Sequence, residues 1–122
     1  QHENPQYLPD VKLDPRLHAT TDIGEAIKGA ELIFVSVPSK SFRSVVQQLK
    51  PFLIEGQCLI STTKGIEPDG FNLMSQVLTD ECSGHPVAVL SGPNLAKAIG
   101  RKQLTATVVA SDDGALRIAV QE

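Results

Sequence analysis

A chain of 122 residues with 41% hydrophobic content fits one domain or part of one and has enough apolar material for a core, which excludes general disorder. Aromatics make up 4%, with no Trp and one Tyr, so the core must be built from Val, Leu, Ile and Ala, as suits a parallel α/β sheet. A net charge of −3 and a pI near 5.6 argue against a general nucleic-acid or anionic-membrane surface, although a local basic pocket stays open.

Residues 1–16, with three prolines and little periodicity, read as an irregular lead-in. Within them Tyr7 stands between Pro5 and Pro9; taken alone, its ring reads more readily as surface packing than as a face for a flat ligand. Residues 17–21 suggest a short strand. Asp22 followed by Glu25 has capping-box spacing, and Ile23, Ala26, Ile27 and Ala30 form an apolar stripe that predicts a helix ended near Gly29. Residues 32–37, LIFVSV, are the strongest strand signal, apolar enough to be buried on both faces. Pro38 ends that strand. Phe42, Val45, Val46 and Leu49 predict a helix over 41–50, which Pro51 closes.

Residues 57–61 predict a strand leading into Lys64-Gly65. A helix follows over 72–79, with Leu73, Met74, Val77 and Leu78 inward, then a turn at 83–86 and a strand over 87–90. That strand runs into Ser91-Gly92-Pro93-Asn94. A short helix over 95–99, a polar turn over 100–103, a β-branched strand over 105–110 and a final helix opened by Asp112-Asp113 complete the pattern. Strands and helices alternate through short connections, which predicts a doubly wound α/β sheet.

Three strand ends share a character: Val37-Pro38-Ser39, Thr63-Lys64-Gly65 and Ser91–Asn94. Each follows an apolar strand at its carboxyl end, where open α/β sheets bind ligands. All three are small or polar and one is cationic, which points to a phosphate-bearing or nucleotide ligand. The competing readings are a surface lysine at a strand-to-loop turn and a plain tight turn at Gly92-Pro93. No G-x-S-x-G elbow occurs, and His2, His18 and His85 read as exposed or structural. Glu67 with Asp69, and Asp112 with Asp113, read as loop and cap charges rather than acid/base pairs. No metal-ligand spacing stands out. Cys58 and Cys82 have no CxxC spacing and read as free thiols in a reducing compartment. No apolar run approaches the roughly 20 residues of a membrane span, and no signal peptide is read ahead of the fold.

Taken together, HENPQYLP, AIKGAELIFVSVPS, STTKGIEPDG, VLSGPNLAKAI and TATVVAS resemble, in order and spacing, the NAD(P)-dependent glycerol-3-phosphate dehydrogenases of bacterial type. The resemblance implies a Rossmann-like sheet and an enzyme that interconverts dihydroxyacetone phosphate and sn-glycerol 3-phosphate with NAD or NADP, feeding phospholipid synthesis in the cytoplasm. It implies that Lys64 contacts both cofactor and substrate. Gly92 and Asn94 would lie on the substrate side, and Ala96, Pro38 and Tyr7 on the cofactor side. Partners would be the small-molecule substrate, with no nucleic acid and no membrane insertion; a homodimer is one assembly open to the full-length enzyme.

The sequence also departs from the family pattern. No G-x-G occurs, so the first βαβ unit that binds the pyrophosphate is expected to be missing. The helical substrate domain and its proton-donor lysine are expected to be missing as well, so no residue here is assigned as proton donor. Ala98 stands where the pattern has Glu, and Gly100–Gln103 replaces a small-residue turn. The expectation is therefore a partial dinucleotide-binding domain over 1–122, part of something longer, with strand 32–37 left as an open edge. Such a chain is expected to be marginally stable and without turnover alone. A non-catalytic remnant or binding module of the same fold is the alternative reading, and a dehydrogenase for another substrate is a third that the TKG and SGPNLA pair disfavours.

Overall fold

The computed structural model describes residues 2–122. Its main sheet has four strands in the order β3-β4-β5-β6: β3 (Leu32–Val35), β4 (Cys58–Ser61), β5 (Val87–Ser91) and β6 (Val108–Ala110). The first three are parallel; β6 runs antiparallel to β5. Parallel neighbours require crossovers, and α2 (Ser39–Leu49) and α3 (Met74–Glu81) supply them. The mostly parallel, doubly wound α/β expectation holds.

Packing is unequal on the two faces. Ile33, Val35 and Leu59 meet Phe42, Val46 and Leu49 of α2 and Met74, Val77 and Leu78 of α3, together with Ile27 of α1 (Ile23–Ile27). Phe42, Val46 and Leu49 recur at i, i+4 and i+7, so one helical stripe enters the core. The opposite face is thinner: Ile60 and Ala88 meet Leu116 of α5 (Gly114–Gln121). Among the described residues β3 pairs only with β4. Its Phe34 is 49% exposed, so the expected open edge is present on an apolar strand.

Several sequence readings need correction. Residues 17–21 form no strand. No neighbouring strand takes up their backbone groups, Leu17 is exposed, and Thr20 turns its hydroxyl to the Glu25 carboxylate at 2.6 Å. Asp22 does cap α1, accepting from the Glu25 amide at 2.8 Å, but Glu25 is engaged by Thr20 rather than closing the box. The lead-in is not wholly irregular: β1 (Glu3–Asn4) and β2 (Leu8–Lys12) form an antiparallel hairpin. Asn4 shapes its turn by accepting from the Tyr7 amide at 3.2 Å. The strand expected over 105–110 is shortened to Val108–Ala110. Leu73 lies outside α3 and is exposed, because its amide is capped by the Gln76 side chain at 2.7 Å.

The hairpin docks on α4 (Ala96–Gly100). Gly100 lets the two pack closely: a Cβ there would stand 3.1 Å from Val11 and 3.2 Å from Leu8, and both side chains would have to shift by a few tenths of an ångström. The 100–103 turn that departs from the family pattern closes cleanly, with Lys102 left-handed at φ 56° and its amide donating to the Ile99 carbonyl at 2.9 Å.

The uneven packing predicts unequal substitution costs. Leu59→Ala, at a fully buried central strand, is expected to cost about 2–5 kcal/mol. Phe34→Ala, on the half-open edge, is expected to cost less than about 1 kcal/mol. Urea unfolding of the two variants checks this, and equal costs would contradict it.

Candidate functional site at the strand tips

The carboxyl ends of β3, β4 and β5 lie side by side, as their parallel register requires. Loop 36–39 and loop 62–65 are laced together. Thr62 meets Ser36 hydroxyl to hydroxyl at 2.6 Å, and Thr63 donates its hydroxyl to the Val37 carbonyl at 2.7 Å. Gly65, left-handed at φ 112°, turns the chain against α2, where a Cβ would meet the Ser39 hydroxyl at 3.4 Å. Pro38, the residue before α2, therefore sits on the rim that Lys64 leaves.

Lys64 bridges to the third tip. Its Nζ donates to the Gly92 carbonyl at 2.8 Å and to Asn94 Oδ1 at 2.9 Å. An ammonium has three donors; two are taken, and no described residue takes the third. The bridge is at the surface, open to a ligand from outside.

Gly92 is held at φ 144°, where a side chain would come within 2.6 Å of the Ala106 carbonyl. Only glycine combines that backbone with that approach. Asn94 is oriented at both ends of its amide: its oxygen accepts from Lys64 and its nitrogen donates to Thr107 Oγ1 at 3.3 Å. Thr107 reaches this rim because β6 is antiparallel, so its amino end lies beside the carboxyl end of β5.

Pro38, Lys64, Gly92 and Asn94 thus share one rim. Ala96 is the first residue of α4 just beyond it and is exposed. Tyr7 is tied to the rim less directly, through the hairpin that packs on α4. It is 71% exposed, and its hydroxyl accepts from Gln6 at 3.1 Å.

Arg43 and its partner Glu81 escaped the sequence reading. Arg43 of α2 makes a two-pronged pair with Glu67, at 2.5 Å to Oε1 and 2.9 Å to Oε2, and donates to Glu81 of α3 at 2.6 Å. Glu67 is therefore no idle loop charge. Arg43, with help from Asn72, holds its carboxyl down at about 2. In return Glu67, then Glu81, raise the Arg43 guanidinium above its usual range. Nothing local in the sequence signals the pairing, since Arg43 meets Glu67 24 positions away and Glu81 38 positions away. Burial raises the Cys58 and Cys82 thiols, in keeping with unreactive cysteines.

Residues 1–117 match the family model for the NAD-dependent glycerol-3-phosphate dehydrogenase N-terminus. The chain belongs to this family. It is 47% identical over 120 residues to the glycerol-3-phosphate dehydrogenase [NAD(P)+] of Acinetobacter baylyi, covering 98% of this chain and 33% of that protein. Against the glycerol-3-phosphate dehydrogenase [NAD(P)+] of Ectopseudomonas mendocina the identity is 48%, over 98% of this chain and 35% of that one. The crystal structure of glycerol-3-phosphate dehydrogenase from Coxiella burnetii superposes with a TM-score of 0.92 at 29% identity, covering 98% of this chain and 36% of that one. This dehydrogenase-family chain therefore spans about a third of the length of the curated relatives it matches.

The Glu67 pair predicts an acid-side stability loss. Folding lowers the Glu67 pKa from its ordinary 4.5 to about 2. The contribution is fully present above pH 4.5 and is lost as pH falls through 2. Unfolding melts of the chain and of Glu67→Gln are expected to differ at pH 7 and to converge across that window. A second expectation concerns Gly92→Ala: the strained backbone should cost about 1–3 kcal/mol, readable by urea unfolding.

Proposed function

We propose that this chain supplies the strand-tip edge of an NAD(P)-dependent glycerol-3-phosphate dehydrogenase that interconverts dihydroxyacetone phosphate and sn-glycerol 3-phosphate. The observation that carries the reading is Lys64, a cation fixed between two strand ends with one N–H donor uncommitted. A nicotinamide cofactor, NAD or NADP, supplies the hydride in this chemistry. The rim fits such a group by its donor set: a surface ammonium at the β5 tip and the Ser36 and Thr62 hydroxyls at the β3 and β4 tips, on the edge where α/β sheets bind nucleotides. Pro38, Ala96 and Tyr7 are the residues assigned to the cofactor side.

As hydride reaches the ketone carbon, negative charge grows on the ketone oxygen. Lys64 is assigned to stabilise that charge, because its ammonium is already oriented and needs no reorganisation at that moment. Gly92 and Asn94 act on the same side, the first through the backbone and the second through its amide. Both hold Lys64 in place as well, so ligand and lysine are positioned by the same two residues. By its family the whole enzyme is assigned to the cytoplasm and to phospholipid supply.

The test is a hybrid enzyme in which this chain replaces the matched 120 residues of the Acinetobacter baylyi relative. It is expected to oxidise NADH with dihydroxyacetone phosphate. Lys64→Ala should lower kcat by about 10²–10³. A folded hybrid without turnover, or a Lys64→Ala variant of undiminished kcat, would overturn the reading.

A further inference from the structure

The loop that carries Lys64 leaves β4 after Ser61 and runs to α3. Its internal ties are few: an isolated bridge between Ile66 and Leu73, the Glu67 amide donating to the Asn72 carbonyl at 2.9 Å, and the Phe71 amide donating to the Glu67 carbonyl at 3.0 Å. These close the loop on itself without fixing it to the rest of the molecule.

Ahead of Lys64 the loop is tied to the β3 tip by Thr62 and Thr63; beyond Lys64 the attachment comes from α2. Ser39 and Arg43 are one turn apart and so lie on one face of the helix. Ser39 backs Gly65, and Arg43 takes both oxygens of Glu67. The ion pair thus holds the loop on α2 at Glu67, three residues after Lys64, while Ser39 stands beside Gly65 without a bond to it. Arg43 is itself held: Glu81 of α3 accepts from it at 2.6 Å and also from Gln47 at 3.1 Å, while Asp80 stands 4.0 Å away. Asn72 donates to Glu67 Oε2 at 2.8 Å, so the carboxylate has no freedom to swing. The pair is partly sheltered, with Glu67 14% and Arg43 30% exposed, and its forked geometry specifies direction as well as distance. The head of Lys64 is fixed by Gly92 and Asn94; its backbone is held ahead of it by the Thr62 and Thr63 ties to Ser36 and Val37, and beyond it by this clamp.

We propose that Arg43 is a positioning residue for Lys64, acting through Glu67 to hold the lysine-bearing loop on α2 so that the ammonium meets the third strand tip. The proposal rests on the reading of Lys64 given above. Catalytic groups displaced by about 1 Å lose about 10²-fold in rate, so loosening the loop should show in kcat.

In the hybrid enzyme, Arg43→Gln is expected to lower kcat at least about tenfold while KM for NADH stays within about twofold. Glu67→Gln should do the same, and the double variant should fall no further than either single one, since both break one unit. Arg43→Lys, keeping charge without the fork, should recover part of the loss. A kcat unchanged in Arg43→Gln overturns the proposal, whatever happens to Tm. So do losses that simply multiply in the double variant. A measurement independent of turnover separates this from the functional reading. In the 122-residue chain, the nitrogen NMR signal of the Lys64 ammonium should move or broaden in Arg43→Gln while backbone signals of β4 stay in place. An unmoved Lys64 signal overturns the proposal, even if the hybrid has no activity.

Discussion

The structure depends on the bond that Lys64 makes across the sheet edge. Its ammonium joins the end of β4 to the turn after β5 through one carbonyl and one side-chain amide. Without that cation, the Gly92 carbonyl and the Asn94 amide oxygen would turn to water and the two strand ends would lose their direct tie. Without Gly92, the carbonyl would not point there, since any side chain would collide with the Ala106 backbone. The pairing of a lysine and a glycine far apart in sequence is thus a single geometric requirement.

Behind the rim, a second charge arrangement sets how far the lysine loop can stray. Arg43 is surrounded by carboxylates from the loop and from α3, and a planar fork meets two of them in fixed directions. Lysine, a point charge on a flexible stem, would satisfy the charge without the angles. The loop is thus flanked by two polar arrangements: the Lys64 ammonium held by a carbonyl and a side-chain amide at the strand tips, and the Arg43 guanidinium held by Glu67 and Glu81.

Much of this was legible in the letters. The run 32–37 gave its strand because a continuous apolar stretch has few other fates, and the i, i+4, i+7 spacing of Phe42, Val46 and Leu49 marked the buried face of α2. The rim was legible because small and polar residues repeatedly followed apolar strands, and its family because TKG and SGPNLA stood at the right separation. What the sequence hid was non-local. Residues 17–21 have strand-like composition but no neighbour to pair with. The N-terminal hairpin is held by an Asn4 turn and by docking on Gly100, neither of which leaves periodicity. Arg43 and Glu67 are 24 positions apart, and only the folding of α2 against the loop brings them together. The reversal of β6 was equally silent, although it is what delivers Thr107 to Asn94.

The lopsided core has a kinetic corollary. β4 is enclosed from both sides, whereas α5 is anchored chiefly by Leu116, with Val120 half sheltered. Segments with few buried anchors open on their own, well before the whole chain lets go. Deuterium should therefore enter α5 through brief local detachment, while the amides of β4 wait for complete unfolding. The lysine rim grows from the slow-exchanging strand, and the breathing of the thin face is carried by a helix on the far side of the sheet from α2.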